Sequence, residues 1–463
     1  MIRLFRAPIL ALAASLPLAA PAETTVPANQ AEIALSFAPV VQATAPAVVN
    51  IYARQVVQDR VSPFAGDPFF DQFFEEFGAT QPRIQNSLGS GVIVSADGIV
   101  VSNYHVVADA TDIRVVLADR REYAATLLLA DPQADLAILK VAAEAPLPAL
   151  ELGDSEALQV GDLVLAIGNP FGVGQTVSSG IVSGLARSAL QVGDGTGYFV
   201  QTDAPINPGN SGGALVDMAG RLVGINTAIV TRDGGSNGIG FAIPSDLVAA
   251  VVAQAQAGET QFTRPWAGLT GQEVDGALAE ALGMARPLGV LITAMHPQSP
   301  FAAAGLAEGD VVLSLGGAAI NTPQEFLFRL SVLGAGTAQE VRYLHDGAEA
   351  VAQVAMAAAP DTPDRLALQV TQDVILRGAT LARINPAVMS ELGLSLDARG
   401  VALIATQDIA REVGLQPGDI LVAINGQPVS TPDEALAAAS VASRRWQIDL
   451  IRAGQPLRLR FRL

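Results

Sequence analysis

Short runs of β-branched and aliphatic residues, separated by Gly, Asp and Asn, dominate the chain between Ser36 and Pro244. Residues 91–102 predict a hairpin, because two such runs flank the turn sequence Ala96-Asp97-Gly98. Residues 245–256, rich in Ala and Val, predict a closing helix with Ser245 as its N-cap. Many strands with few helical stretches indicate a mainly β region, either a sandwich or a pair of barrels. Further strands are predicted at 114–117, 136–141, 163–166 and 222–225.

The C-terminal part of the chain contains a repeat. Residues 299–313 and residues 412–426 share a Gly-Leu step, a Gly-Asp turn and a following aliphatic run. Each copy precedes a predicted helix that begins with Thr-Pro, at Thr322-Pro323 and at Thr431-Pro432. The chain therefore divides near 260 and near 361, where Ala-rich and Pro/Asp segments form linkers.

Residues 1–22 have the form of a secretory signal peptide. Arg3 and Arg6 precede an apolar run that ends at a small-x-small cleavage site, Ala20-Pro21-Ala22. The alternative is a membrane anchor, but the run is short for a span of about 20 residues. We expect no stable membrane span once the signal is cleaved.

Composition excludes several classes of function. A net charge of −18 argues against nucleic acid or anionic lipid as a partner, because phosphate contacts need clustered cations. The absence of cysteine excludes disulfides, thiol nucleophiles and cysteine-ligated zinc. The three histidines, His105, His296 and His345, are widely spaced, so we expect no metal site and no cofactor.

Ser211 lies in the segment 207–215, where glycines allow a sharp turn that exposes the hydroxyl. In such a turn, backbone amides can point at a developing oxyanion, which is worth about 3 kcal/mol per donor. A Gly-Ser-Gly sequence also occurs in plain turns, and this segment alone leaves both interpretations open.

His105 follows a predicted strand, and Asp135 precedes another. Each residue alone is compatible with an ordinary core, surface or turn position. Together with Ser211 they supply a base, an orienting acid and a nucleophile. The α/β-hydrolase elbow, G-x-S-x-G, also fits 209–213, but it requires the acid and the histidine after the serine. The order His, Asp, Ser is that of double-β-barrel proteases.

Residues 101–107, 135–137 and 203–213 resemble the HtrA/Deg family of envelope serine proteases, and the two repeats resemble PDZ domains. The resemblance extends over essentially the whole mature chain. It implies a mainly β protein, with a chymotrypsin-like double β-barrel protease domain followed by two α+β PDZ domains. The implied ranges are 23–260 for the protease domain, 261–360 for the first PDZ domain and 361–463 for the second.

The resemblance also implies roles for single residues. His105 would be the general base, Asp135 its orienting acid and Ser211 the nucleophile, with oxyanion-hole amides from Gly209, Asn210 and Ser211. An apolar S1 pocket would be lined by Ile206, Ile229, Val230 and Ile239. For Ile229 and Ile239 the alternative is an ordinary core position.

In the family, PDZ domains bind extended peptides by strand addition and capture the C-terminal carboxylate with backbone amides. The matching loops contain Gly268 and Leu269 in the first domain, and Gly378 and Ala379 in the second. An aromatic insertion within 62–86 matches a family loop that reaches neighbouring active sites. Homo-oligomers, as trimers or multiples of trimers, are therefore expected.

These observations predict a periplasmic, ATP-independent serine endopeptidase that degrades unfolded or damaged envelope proteins after small aliphatic residues. Its expected partners are unfolded polypeptides and C-terminal peptides. Two alternatives stay open at this point. One is a chaperone or scaffold with a resting triad, and the other is a regulatory protease that cuts a specific membrane protein.

Overall fold

The computed structural model describes residues 36–57, 83–169, 174–185, 191–192, 195–207, 209–229 and 238–462 of the 463-residue chain. The predicted signal peptide 1–22, the aromatic residues 67–77 and Val230 lie outside these ranges. Within the described ranges, no helix is both long and apolar enough to cross a membrane.

The first barrel is closed by six strands in the order β1-β2-β3-β6-β5-β4. The predicted hairpin at 91–102 is confirmed as β2 and β3, which pair antiparallel around Gly98. Because β2 begins at Arg83, the last residues of the predicted loop 62–86 belong to a strand. The strands are β1 Val48–Val57, β2 Arg83–Ser95, β3 Ile99–Ser102, β4 Asp112–Val116, β5 Glu122–Asp131 and β6 Leu136–Val141. The helix α1 Ala38–Thr44, a 3-10 turn Ala45–Ala47 and the short helix α2 Tyr104–Val107 accompany them.

The second barrel is also closed by six strands, in the order β11-β14-β13-β12-β7-β8. The helix α3, Ser245–Gln256, follows its last strand and has the predicted bounds. Two closed barrels confirm the chymotrypsin-like double-barrel architecture. The strands are β7 Leu163–Gly168, β8 Thr176–Gly184, β11 Val200–Thr202, β12 Ala214–Asp217, β13 Leu222–Ile229 and β14 Gly240–Pro244, with a separate ribbon of β9 Gln191–Val192 and β10 Gly195–Thr196.

One buried apolar cluster extends through both barrels. It contains Val49 and Leu139 from the first barrel, and Leu165 and Phe241 from the second. Each of these side chains is completely buried. Burying a side chain of this size contributes about 1.5–3 kcal/mol, so the shared cluster holds the two barrels together. Loops of both barrels can therefore meet in a fixed geometry.

The first PDZ sheet has the order β15-β16-β17-β19-β20, and β18 pairs with β17. The second has the order β21-β22-β23-β24-β26-β27, and β25 pairs with β24. The first sheet contains β15 Leu269–Glu273, β16 Val290–Met295, β17 Val311–Leu315, β18 Ala318–Ala319, β19 Ala338–His345 and β20 Ala348–Ala355. The second contains β21 Leu368–Gln369, β22 Ala379–Arg383, β23 Val401–Thr406, β24 Ile420–Ile424, β25 Gln427–Pro428, β26 Arg445–Arg452 and β27 Gln455–Arg462.

The two helices that were predicted to begin at Thr-Pro are present in the PDZ domains. Thr322 and Glu325 form a capping box at one, and Thr431 and Glu434 form the same box at the other. The first-domain helices are α4 Gly276–Ala281, α5 Pro300–Ala303 and α6 Pro323–Leu333. The second-domain helices are α7 Pro386–Leu392, α8 Asp408–Glu412 and α9 Pro432–Ala439.

Candidate active site

Ser211 lies in the turn between β11 and β12, on the second barrel. Gly212 has a φ of +81°, and a Cβ at this position would overlap the carbonyl oxygen of Ser90. Only glycine therefore fits at position 212, directly after Ser211 in the chain. The Ser211 hydroxyl is half-buried and donates a hydrogen bond to the carbonyl oxygen of Thr227, at 3.2 Å.

His105 and Asp135 come together from the first barrel. The His105 Nδ1 atom lies 2.8 Å from Oδ2 and 3.0 Å from Oδ1 of Asp135. The backbone amide of His105 donates to the same carboxylate at 3.0 Å. Asp135 has a φ of +56°, an uncommon conformation that turns its carboxylate towards α2. The imidazole is therefore held at Nδ1, and its Nε2 has no hydrogen-bond partner among the described residues.

Two residues that the sequence did not indicate hold Asp135 in place. The Thr227 hydroxyl donates to Asp135 Oδ2 at 2.7 Å, and the buried Asn103 side chain donates to the Asp135 carbonyl oxygen at 2.9 Å. Thr227 therefore contacts the acid through its side chain and Ser211 through its carbonyl. Neither residue type carries a signal for this role, because both contacts join distant parts of the chain.

The Ser211 hydroxyl is bonded to the backbone carbonyl of Thr227 in this structure. Among the described residues, no hydrogen bond joins Ser211 to His105. The structure thus brings the acid and the histidine into contact and leaves the serine hydroxyl on a neighbouring backbone acceptor.

The backbone amides around Ser211 differ in availability. The Asn210 amide donates to the Asn207 carbonyl at 2.9 Å, so it is already engaged. The amides of Gly209 and Ser211 have no hydrogen-bond acceptor in the part of the chain that the structure describes. Of the three amides expected in an oxyanion hole, two are thus open in this conformation. The Asn210 side chain is buried and accepts from the Thr176 hydroxyl at 2.6 Å.

Ser90, on β2, connects the Ser211 turn to the first barrel with its amide, hydroxyl and carbonyl. Its amide donates to the Ser211 carbonyl at 2.9 Å, and its hydroxyl donates to the Gly209 carbonyl at 2.6 Å. The same hydroxyl accepts from the Asn169 amide at 2.8 Å, and the Ser90 carbonyl accepts from Ser102 at 2.7 Å. Ser90 is completely buried. It therefore fixes one peptide group before Asn210 and one after Ser211.

The residues predicted to line S1 lie in different surroundings. Ile206 is 1% exposed and belongs to the apolar core of the second barrel. Ile239 is partly buried and packs against the cluster that joins the barrels. Ile229 ends β13. Among the described residues, no group of three or more potential ligands is arranged to hold a metal ion.

The predicted carboxylate loops precede matching strands. Gly268 and Leu269 lead into β15, and Gly378 and Ala379 lead into β22. In the second domain the amides already have acceptors, because Gly378 donates to Val370 and Ala379 donates to Leu376, both at 2.9 Å. The amide of Gly268 has no acceptor among the described residues. The two loops therefore differ in the groups that they can offer to a peptide.

Comparison with known proteins identifies three domains in this chain. A trypsin-like peptidase domain matches residues 89–225, and PDZ domains match residues 267–356 and 400–445. A probable periplasmic serine endoprotease, DegP-like, from Pseudomonas fluorescens is 38% identical over 95% of each chain. One of the same description from Marinomonas is 38% identical over 92% of this chain and 93% of its own.

Solved structures give a consistent picture. The HtrA-type protease AlgW with a decapeptide is 40% identical and covers 70% of this chain and 99% of its own, with a TM-score of 0.52. The same protease with a tripeptide is 38% identical and covers 70% of this chain and 98% of its own, with a TM-score of 0.54.

Proposed function

The chain belongs to the HtrA/Deg family of DegP-like serine endoproteases, and from that membership we propose that it degrades unfolded or damaged proteins of the bacterial envelope without ATP. The observation that carries the proposal is the 2.8 Å contact of His105 with Asp135, next to the Ser211 turn. The proposed compartment is the periplasm, reached through the predicted signal peptide 1–22.

We propose the following roles for the site residues. Ser211 Oγ attacks the scissile carbonyl carbon and transfers its proton to His105 Nε2, which then protonates the leaving amine. Asp135 holds the Nδ1 proton and stabilises the imidazolium. Water, deprotonated by His105, attacks the acyl-enzyme and releases the second product. The 3.2 Å hydrogen bond of Ser211 to Thr227 must open before attack.

The oxyanion of the tetrahedral intermediate is proposed to bind the amides of Gly209 and Ser211. Their lack of acceptors among the described residues supports this role. The Asn210 amide would contribute only if its bond to Asn207 opened. Because such donors act on charge that develops in the transition state, each is worth about 3 kcal/mol.

Cleavage after small aliphatic residues is the proposed specificity. Branched aliphatic walls from Ile206, Ile229, Val230 and Ile239 would exclude charged side chains through uncompensated desolvation and large rings through volume. Mass spectrometry of casein fragments should find mainly Val, Ala and Ile before the cut. Fragments that end mainly in basic or aromatic residues would contradict this pocket.

The first PDZ domain is proposed to bind the C-terminal ends of polypeptides. Its loop leaves the Gly268 amide open, and β15 lies at the edge of its sheet, where a peptide strand can be added. The related AlgW structures, one with a decapeptide and one with a tripeptide, support a peptide ligand. We propose that the protein forms homo-oligomers, as trimers or multiples of trimers.

The decisive experiment is casein degradation by the full-length chain and by Ser211→Ala. The loss of one triad member should reduce the rate by about three orders of magnitude or more. Thermal unfolding should stay nearly unchanged, because a single oxygen is lost. Ser95→Ala, at the half-buried end of β2, is the matched control and should retain full activity, because the Ser95 hydroxyl bonds to the exposed Asp97 in the adjoining turn. Activity of Ser211→Ala above about one per cent would exclude Ser211 as the nucleophile.

A further inference from the structure

The two PDZ domains share the geometry of the loop that leads into the peptide-binding strand. Gly268 has a φ of +60° and Gly378 a φ of +85°. The carbonyl of Gly268 accepts the amide of His296 at 2.8 Å, and the carbonyl of Gly378 accepts the amide of Gln407 at 2.9 Å. These bonds lie at equivalent positions of the two sheets. β15 and β22 are therefore corresponding strands.

The outer edges of these two strands differ. β15 pairs with β16 and forms the edge of its sheet in the described chain. β22 pairs with β23 on one side and with β21 on the other. In β21, Leu368 lies opposite Leu381 and Gln369 opposite Thr380, in antiparallel register. The position at which a peptide would add to the second sheet is thus occupied by the chain itself.

Val370, directly after β21, makes the contacts expected of a bound peptide's last residue. Its amide donates to the Ala379 carbonyl at 2.9 Å, and its carbonyl accepts the Gly378 amide at 2.9 Å. Its side chain is 1% exposed and belongs to the apolar cluster that includes Ala379 and Leu381 of β22 and Ala435 of α9. A carboxylate-terminated peptide is held by the same combination of strand pairing, loop amide and apolar pocket.

We propose that residues 365–370, the built-in strand, are an internal ligand that closes the peptide site of the second PDZ domain. The inference rests on the proposed peptide-binding role of these domains. The built-in strand is fixed at its start as well. The backbone carbonyl of Arg365 accepts the Arg383 amide at 2.6 Å, and the Arg365 guanidinium pairs with Glu391 at 2.8 Å. Only residues 371–377 separate its end from Gly378. A ligand tethered so closely has an effective concentration of about millimolar or more. A free peptide at micromolar concentration therefore does not displace it.

The test uses the full-length chain with Ser211→Ala, so that the probe is not cleaved. The probe is the free peptide Arg-Leu-Ala-Leu-Gln-Val, with the sequence of residues 365–370, a free carboxyl end and a photoreactive group at its amino end. The same peptide with an amidated end is the control for carboxylate capture. Mass spectrometry of the labelled chain distinguishes labels in 261–360 from labels in 361–462.

Val370→Asp places a charge in the apolar pocket and should release the built-in strand. Labelling of 361–462 should rise about tenfold over the parent chain, with no rise for the amidated peptide. Gln369→Asp is the matched control, because this exposed neighbour carries the same charge without entering the pocket. Val370→Ala, which adds no charge, should give a smaller rise and replaces Val370→Asp if that variant does not fold.

A disulfide tests the closed state directly, since the chain has no cysteine of its own. Gln369→Cys with Thr380→Cys joins two residues that lie opposite each other in β21 and β22. After oxidation, 361–462 should not be labelled, and labelling of 261–360 should be unchanged. The proposal is overturned if 361–462 is labelled as strongly as 261–360 in the parent and oxidised chains. It is equally overturned if a folded Val370→Asp or Val370→Ala variant gains no labelling. Because Ser211→Ala is present throughout, neither result depends on the proposed protease activity.

Discussion

Ser90 holds the Ser211 turn through two peptide groups, one before Asn210 and one after Ser211. Its hydroxyl accepts one hydrogen bond and donates another, and both partner groups belong to backbone near the site. If the hydroxyl is removed, the Gly209 carbonyl and the Asn169 amide lose their partner in a buried environment. Leaving such groups unsatisfied costs about 1–3 kcal/mol, so the turn would relax towards other conformations.

We therefore predict that Ser90→Ala reduces kcat at least about tenfold, with little change in KM, in the hydrolysis of a small peptide substrate. The Gly209 carbonyl that Ser90 holds belongs to the same residue as the Gly209 amide, so a relaxed turn would misplace a proposed donor for the oxyanion. Ser95→Ala, on the same strand, is the control. A variant that unfolds at the parental temperature and keeps full kcat would show that Ser90 does not position the oxyanion donors.

At this scale the sequence indicated the residues for which we propose the chemical roles, and it missed the residues that hold them in place. His105, Asp135 and Ser211 stand out because their types and order match a known reaction. Ser90 and Thr227 belong to common residue types. Each contacts a residue more than ninety positions away in the chain, on the other barrel. Only the folded chain brings such partners together.

The helix starts show where local patterns suffice and where they fail. The Thr-Pro pattern correctly predicted helices at 323 and 432, because the capping box is formed by residues within one turn. Ser245 was predicted to be an N-cap, and this was wrong. Pro244 is the N-cap, and the Ser245 hydroxyl donates to the distant Gly153 carbonyl at 2.7 Å. The Ser245 hydroxyl thus donates to a distant buried carbonyl and does not cap an amide of its own helix.

The aspartate of the Gly-Asp turn pairs with a different basic side chain in each PDZ domain. Asp310 is 4% exposed in its side chain and lies 2.7 Å from Nδ1 of His345. Asp419, at the equivalent turn, is completely buried and forms two 2.7 Å contacts with Arg452. A hydrogen bond to Asp310 raises the pKa of His345, and the charges of Asp310 and Asp346 act in the same direction. In the first domain, His345 therefore gains or loses its charge at this turn as the pH changes, while Arg452 in the second domain stays charged.

This difference predicts a pH dependence of the first PDZ domain. Because the pKa of His345 is higher in the folded state, its contribution to stability is complete below the ordinary histidine value of about 6.5. The contribution is lost as the pH rises through the raised folded value. The unfolding temperature of the first domain should therefore decrease from mildly acidic to mildly alkaline pH.

Trp266 and Trp446 are the two tryptophans of the chain, and they allow this measurement. In the Ser211→Ala chain with Trp446→Phe, fluorescence of Trp266 reports on the first domain. His345→Gln should flatten the pH dependence of its unfolding. An unchanged dependence in that variant would assign the effect to other groups.

The first PDZ domain is joined to the protease domain through α6. Phe328 stacks on Tyr198, with ring centroids 4.2 Å apart, and belongs to the apolar cluster that joins the barrels. Arg329 forms an ion pair with Glu156 on the same side. Burial raises the pKa of Tyr198. The same helix packs against β15, the strand to which a peptide would add. One element therefore contacts both the proposed peptide groove and the protease domain.

The sequence predicted the order of the domains and the double barrel, but not this contact. Strand patterns and the repeat are local signals, and they were sufficient for the architecture. Phe328 belongs to an amphipathic helix, where an aromatic residue indicates burial without indicating the partner. The covered edge of β22 was likewise not predicted, because the short β21 has no strand pattern of its own.

The contact through α6 predicts how the two domains communicate. Phe328→Ala removes a buried ring, which in a core costs about 3–5 kcal/mol, and should loosen the first PDZ domain from the barrels. Basal hydrolysis of a small chromogenic peptide should be retained, because the active site is untouched. A peptide with an apolar C-terminus should still bind, since the lost stacking contact is with Tyr198 of the protease domain, but it should no longer raise turnover. Leu327→Ala, at a neighbouring position that is 51% exposed, should respond like the parent chain.

Binding is measured by fluorescence anisotropy and stimulation by initial rates on the same samples. Full stimulation of Phe328→Ala would show that coupling between the domains takes another route, because binding and basal activity would both be intact without the stacked pair.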